Sequence, residues 1–308
     1  MKKNKIIILI FILLLFTGCT KTLKDKDNNI VKYEETNQIL TENILCRPTN
    51  EEVIKLYEEN KVDIKKLPKC EDFKINQGKY EGLWNSFIVK PLTWLLIKIG
   101  GLVNNYGLSL IIIGILIRIL MMPITKTTAL QSENLKHAQP ELSAIESKFK
   151  DKNDQDSISA KSKETMLVYK KYKINPLSSC LFAMLQIPLF IGFIEAINRT
   201  PAIFEGNFLG LKLGMTPLTA ISNGQYYYIV LVILIGLTTY FSFALNKTAP
   251  APTNNKNQMQ IMNKVLVGFI TIMSFSLSTA IGIYWITSSA FTIFQNLLVK
   301  RGEKNAKI

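Results

Sequence analysis

The sequence predicts an all-α integral membrane protein: five transmembrane helices, a cytoplasmic helical hairpin and an outer interfacial amphipathic helix. Three observations carry that expectation. The 308 residues are 48% hydrophobic, yet they hold 37 Lys and Arg against 23 Asp and Glu. The apolar residues gather into runs long enough to cross a hydrocarbon core of ~30 Å, which takes about 20 helical residues. The basic excess sits at the ends of those runs and in the loops between them. Nucleic acid binding needs the excess as a patch on a folded soluble domain and is not expected; anionic lipid and membrane orientation account for it better.

The chain opens with Lys2, Lys3 and Lys5, an apolar run from Ile6 to Phe16, and then Thr17-Gly18-Cys19. A basic start, a short apolar stretch and small residues before a cut mark a secretory signal over residues 1–18. About 11 apolar residues make roughly 16 Å of helix, too short to span. A cysteine after Thr-Gly resembles a bacterial lipobox, which makes Cys19 the lipidated first residue of a palmitate-bearing lipoprotein. The alternative is an uncleaved anchor. Both put residue 20 onward outside the cytoplasm.

Residues 19–82 read as a small extracytoplasmic region, polar and near charge balance. Thr20 to about Thr41 has few large apolar residues and reads as a tether. Thr49 to Tyr57 reads as a short helix with Thr49 as its N-cap. Cys46 and Cys70 flank it on the oxidising side. Two exported cysteines favour a disulfide, whereas an anaerobic host would not need one, so the pairing stays open. Over residues 83–102, Trp84, Phe87, Ile88, Pro91, Leu95 and Ile99 recur at near-helical spacing between polar residues. That is an amphipathic segment broken at Pro91, with Trp84 and Trp94 as headgroup-level anchors.

The core covers residues 103–300, with spans at about 104–124, 177–197, 225–246, 262–277 and 279–299. The 125–175 stretch is then inside, with ten Lys against seven acids. The 198–224 loop is outside; the 247–261 loop and the basic tail 301–308 are inside. Positive-inside bias agrees with the signal sequence at every loop. Both cues place the chain in a bacterial plasma membrane with its C-terminus in the cytoplasm. The 125–175 stretch reads as a helical hairpin: an arm from Thr127 to Phe149 restarted by Pro140 at N1, a turn at Asp151–Asp156, and a return arm from Ser157 to Tyr172. Its few large apolar residues predict mobility. His137, the sole histidine, reads as a surface residue.

Arg118 stands inside the first span, where an ionised side chain costs roughly 2.5–3.5 kcal/mol and normally faces water or a partner. The one acid in the spans, Glu195, lies near the outer end of span two, very roughly 15–20 Å away in depth by helical rise. Snorkelling over about 9 Å to the inner headgroups is the simple alternative. The other spans favour a wet site. Tyr284, Ser288, Thr292 and Gln295 form one polar stripe, and Thr238, Ser242 and Asn246 another. Ser179, Gln186, Phe190 and Phe193 share a face, as do Thr271, Ser274 and Ser278. Such residues are often interhelical glue worth about 0.6 kcal/mol each. Four such faces around an arginine predict a hydrated cavity in the inner half of the membrane. The sequence has no Walker loop, no HExxH, no metal-spaced His/Cys cluster and no intramembrane Asp pair. No enzyme, metal or cofactor is therefore expected.

From about Trp84 to Lys300 the chain resembles the YidC/Oxa/Alb membrane-insertase family in its Gram-positive lipoprotein form. The residues that carry the likeness are Arg118 with Met122-Pro-Ile-Thr125, Gln139-Pro-Glu-Leu142, the Asn175 to Phe190 stretch, and Gly282-Ile-Tyr-Trp-Ile-Thr-Ser-Ser289 with Gln295. The resemblance implies a five-helix core whose hydrophilic groove opens to the cytoplasm and to lipid. It also implies insertion and folding of nascent membrane proteins, alone or beside the Sec translocon. Arg118 matches the family's groove arginine, with Gln186, Phe190, Tyr284 and Trp285 at other groove and slide positions; Ser288, Thr292 and Gln295 join them from the stripe. Ser278 and Ala280 stand where the family usually has proline and glycine. The short tail lacks the long basic extension of some members, which argues against direct ribosome docking. A small-solute channel or transporter would use the same polar faces, but it would seal the cavity from lipid.

Overall fold

The computed structural model describes residues 20–150, 152, 154–175, 177–245 and 256–305. Residues 1–18, expected as a signal sequence, lie outside the described residues, as do Cys19 and Asn246. The chain divides into two compact units. One comprises residues up to Ile115 with Ile187–Val232 and Met273–Trp285; the other comprises Leu116–Gln186, Ile233–Ile272 and Ile286–Ile308.

In the first unit, β1 (Lys32–Tyr33) and β2 (Gln38–Ile39) pair antiparallel, with Tyr33 opposite Gln38. Leu23, Val31, Tyr33 and Leu40 are buried with Val53, Tyr57 and Ile64 of the following segment and with Phe204. The stretch 20–41 is therefore folded and not a tether. Its apolar residues are few, but the extended backbone sends alternate side chains inward, so a small number suffices. Helix α1 (Glu51–Glu59) is capped by Asn50, whose Oδ1 accepts from Glu52 N and Val53 N. Thr49, the expected cap, instead donates its N–H and hydroxyl to the Glu205 carboxylate, at 3.0 and 2.6 Å. Cys46 and Cys70 are joined as a disulfide.

A π-helical turn, Asn85–Val89, leads into α2 (Lys90–Leu102). Helical backbone runs through Val89 and Lys90 into α2, so the helix is not broken at Pro91; the wider π-turn before it takes the place of a regular turn there. Trp84 is only 2% exposed, so it is not a headgroup anchor. A methyl added at Gly192 would come within 2.7 Å of Ile88 and 3.8 Å of Trp84. The segment thus has a packing surface that periodicity alone could not reveal. Leu83, Phe87 and Leu102 remain exposed.

The remaining elements are α3 (Tyr106–Lys148), α4 (Gln155–Lys171), α5 (Leu177–Asn198), α6 (Pro201–Phe204), the β3–β4 hairpin (Asn207–Phe208, Leu211–Lys212), α7 (Pro217–Ser222), α8 (Ile229–Leu245), α9 (Lys256–Met273) and α10 (Thr279–Asn305). Among the described residues, the helical stretches Tyr106–Pro123 and Tyr226–Leu245 are long and apolar enough to cross a membrane; Gln186–Asn198 and Asn263–Ser276 are shorter apolar helices. The polar stripe on α10 dilutes its hydropathy, and α9 gives way to a tight 3-10 turn at Ser274–Ser276.

In the second unit, α3 runs on through Pro123 and Pro140 to Lys148, so Pro140 does not restart a helix. Helix α4 is capped by Asp154, whose carboxylate accepts from Ser157 N at 2.9 Å. The arms share a core of Leu135, Ala138, Leu142, Val168, Tyr169 and Ile174. Lys171 and Tyr172 both reach the Glu141 carboxylate, and Lys148 pairs with Glu164. The count of large apolar residues therefore understates how the hairpin is held. His137 is exposed.

Candidate functional site

Three helices of the second unit bring Arg118, Gln186 and Ser288 together. Arg118, on α3, is 6% exposed. Its Nε donates to Ser288 Oγ of α10 at 2.9 Å and its Nη2 to Gln186 Oε1 of α5 at 2.7 Å; Nη2 also donates to Ser288 Oγ. Both of these acceptors are neutral, and together they fix the plane of the guanidinium. A planar guanidinium is the side-chain group whose donors match a carboxylate in a bidentate geometry.

Seven residues further along both helices a second polar contact follows. Gln295 Nε2 donates to Thr125 Oγ at 2.8 Å. Thr292 is buried near it in sequence and donates to the Ser288 carbonyl of its own helix at 3.0 Å. Thr125 entered the sequence reading only as the end of the Met122–Thr125 motif, with no place in the site. The available signal was its place seven residues after Arg118, matching the step from Ser288 to Gln295.

The other predicted residues lie in the first unit. Phe190 meets Trp285 edge-on with ring centroids 4.9 Å apart, and Tyr284 stacks on Phe193 at 3.8 Å. This is an aromatic cluster, an arrangement that adds specific ring–ring attraction to area burial. The stripes on other helices behave differently from expectation. Thr238 donates to Leu234 O at 2.7 Å and Thr271 to Val267 O at 2.8 Å, the back-bonding that helical threonines commonly adopt. A methyl at Gly236 would stand 3.1 Å from Thr271 Oγ1, so this face is a packing seam between α8 and α9. Ser278 does not share a helical face with Thr271, because the turn after Met273 ends in extended backbone at Leu277.

A second buried arginine, Arg199, stands in the 198–224 loop. Arg199 is 0% exposed. It pairs with Glu81 at 2.6 Å, donates to Asn85 Oδ1 and to the Asn43 carbonyl at 2.6 Å each, and its own carbonyl accepts from Leu45 N. These partners complete a structural knot rather than a receptive site. Among the described residues no group of three His, Cys, Asp or Glu is placed to hold a metal ion.

Residues 98–307, which include the whole Arg118 cluster, match the family model described as 60Kd inner membrane protein. A relative from Oceanobacillus iheyensis, named membrane protein insertase YidC, is 34% identical over 228 residues, which cover 72% of this chain and 85% of the relative. The chain belongs to this family of membrane protein insertases. Another insertase of the family, MisCA of Bacillus subtilis, is 33% identical, covering 70% of this chain and 79% of its own. Among solved structures, an active YidC insertase with its first transmembrane domain resolved superimposes with a TM-score of 0.52 at 19% identity, covering 79% of this chain. That likeness speaks for the fold, and the chain spans about half (51%) of the solved chain's length. Residues 20–82, with their disulfide, precede the segment that the insertase family model matches.

Proposed function

We propose that this insertase moves nascent membrane proteins into the bacterial plasma membrane and helps them fold, alone or with the Sec translocon, and that Arg118 holds the polar end of the client. In this reading five helices span the bilayer, the N-terminal region stands outside on a lipid anchor at Cys19, and the C-terminus is cytoplasmic. The observation that carries it is a buried guanidinium held by the neutral oxygens of Ser288 and Gln186.

A client's translocated end brings polar groups into hydrocarbon, at a cost of several kcal/mol for each unsatisfied one. A hydrated groove around Arg118 shortens that path, and the guanidinium attracts an acidic residue in the passing segment. Phe190 and Trp285, each half-buried, offer the apolar part of the client an aromatic surface, and Tyr284, buried against Phe193, supports that cluster from within. Burial of the client's apolar helix supplies the driving force, so the step uses no nucleotide.

The test is insertion of a single-span client with an acidic translocated tail into proteoliposomes. Arg118→Ala is expected to lower insertion about tenfold or more, as loss of charge-assisted hydrogen bonds of roughly 1.5–3 kcal/mol would. Insertion equal to the parent protein would remove Arg118 from the mechanism.

A further inference from the structure

The reading of Arg118 as the client-holding group underlies this step. We infer that Thr125 and Gln295 are its positioning residues, a second polar rung that keeps α3 against α10 where Pro123 weakens α3. Thr125 and Gln295 are each only 7% exposed. The amide of Gln295 engages the hydroxyl with both ends: Nε2 donates at 2.8 Å, and Oε1 lies 3.0 Å from the same Oγ. The Thr125 hydroxyl oxygen also lies 3.2 and 3.3 Å from the carbonyl oxygens of Met121 and Met122, to which it can donate. Thr125 is thus tied both to α10 and to the backbone turn that contains Pro123.

The spacing gives the rung its role. Arg118 meets Ser288 and Thr125 meets Gln295, and both pairs are 170 residues apart in sequence. The two helices therefore run parallel, in register over a seven-residue step. Seven residues are about two turns, so both contacts fall on the same facing stripes. Pro123 sits between the rungs, inside the continuous helix. It has no N–H for the carbonyl of Ile119, and its ring crowds that carbonyl. The backbone of α3 is weakest between the two contacts. Parting Thr125 from Gln295 frees the helix beyond Pro123, and the geometry of Arg118 against Ser288 then loses its support on that side. A neutral amide–hydroxyl contact orients the helix without adding a charge that would compete for an acidic client.

The experiment measures insertion of two single-span clients, one with an acidic tail and one with a neutral tail, by full-length variants in proteoliposomes. Thr125→Val keeps the side-chain shape and removes the hydroxyl. It is expected to lower acidic-tail insertion about fivefold, roughly the effect of one neutral hydrogen bond, and to change neutral-tail insertion by less than about twofold. Thr125→Ser should restore acidic-tail insertion, Gln295→Met should reproduce the loss with the acidic tail, and Thr125→Val should add nothing in an Arg118→Ala background. Equal losses for both clients with a lowered thermal midpoint would show a packing role only and overturn the inference. So would failure of both Thr125→Val and Gln295→Met to accumulate as folded protein. Full acidic-tail insertion by Thr125→Val, with Arg118→Ala defective, overturns the inference and leaves the role of Arg118 standing. If Arg118→Ala itself inserts the acidic client normally, the underlying reading fails, and the inference fails with it.

Discussion

Arg118 and Arg199 are both buried, and their surroundings give them different work. Arg118 is oriented by a hydroxyl and an amide oxygen, whereas Arg199 is locked to the Glu81 carboxylate, the Asn85 amide and the Asn43 carbonyl. Arg199→Ala is expected to lower stability by about 3 kcal/mol, because it leaves these partners without their donor. Arg199→Lys should recover little of that, since one ammonium cannot replace a planar fork reaching three groups. The thermal midpoint of detergent-solubilised protein checks both. A midpoint unchanged by Arg199→Ala would mean that the knot is not holding the unit together. Arg118 was legible because a charge inside an apolar run stands out. Arg199 was not, since a charge in a polar loop reads the same whether the fold buries it or leaves it in water.

The small β-hairpin near the N-terminus and the β3–β4 hairpin are tied by the Glu35–Lys212 ion pair. The Lys212 ammonium, and after it the Tyr33 hydroxyl, hold the Glu35 carboxyl below its usual range. Burial, with Glu35 beside it, pushes the Tyr33 hydroxyl up to about 12. A depressed carboxylate adds stability above its unfolded value of about 4.3 and loses it as pH falls through the lower folded value. The contact is therefore complete at neutral pH and fades in acid, below about pH 4. Glu35→Gln should flatten that acid limb in a pH series of thermal midpoints. At neutral pH it should cost only a few tenths of a kcal/mol, because water screens the pair. Parallel curves for the two proteins would show that the pair does not link the hairpins. Neither hairpin was read from the sequence. Two-residue strands give alternation too little length to register, and their partners lie far along the chain. The helices were easier to place, since long apolar runs persist over many turns. Their ends were less so: α3 passes through Pro140, and α9 stops at Met273.

Across the whole chain, class and family were legible because they rest on redundant signals: apolar runs, the sign of the loops, and residues such as Arg118, Tyr284 and Gln295 in a fixed order. The stretch 20–41 was misjudged as a tether because a small core needs few apolar residues once Phe204, from the distant α6, joins Leu40 and Tyr57. Thr238 and Thr271 bond back to carbonyls of their own helices, a contact that spacing along the sequence does not reveal. What remains as the working centre is the Arg118 cluster on α3, α5 and α10, and the central claim is that a client polypeptide passes along it. The most direct measurement places a photoreactive side chain at Thr292 or at Phe294 and irradiates the insertase with a stalled single-span client. These positions lie about 200° apart around α10; Thr292 is buried and Phe294 is 56% exposed. Crosslinks to the client from position 292, with lipid adducts or none from 294, are the predicted result. Client adducts from 294 alone, or equally from both positions, would contradict it.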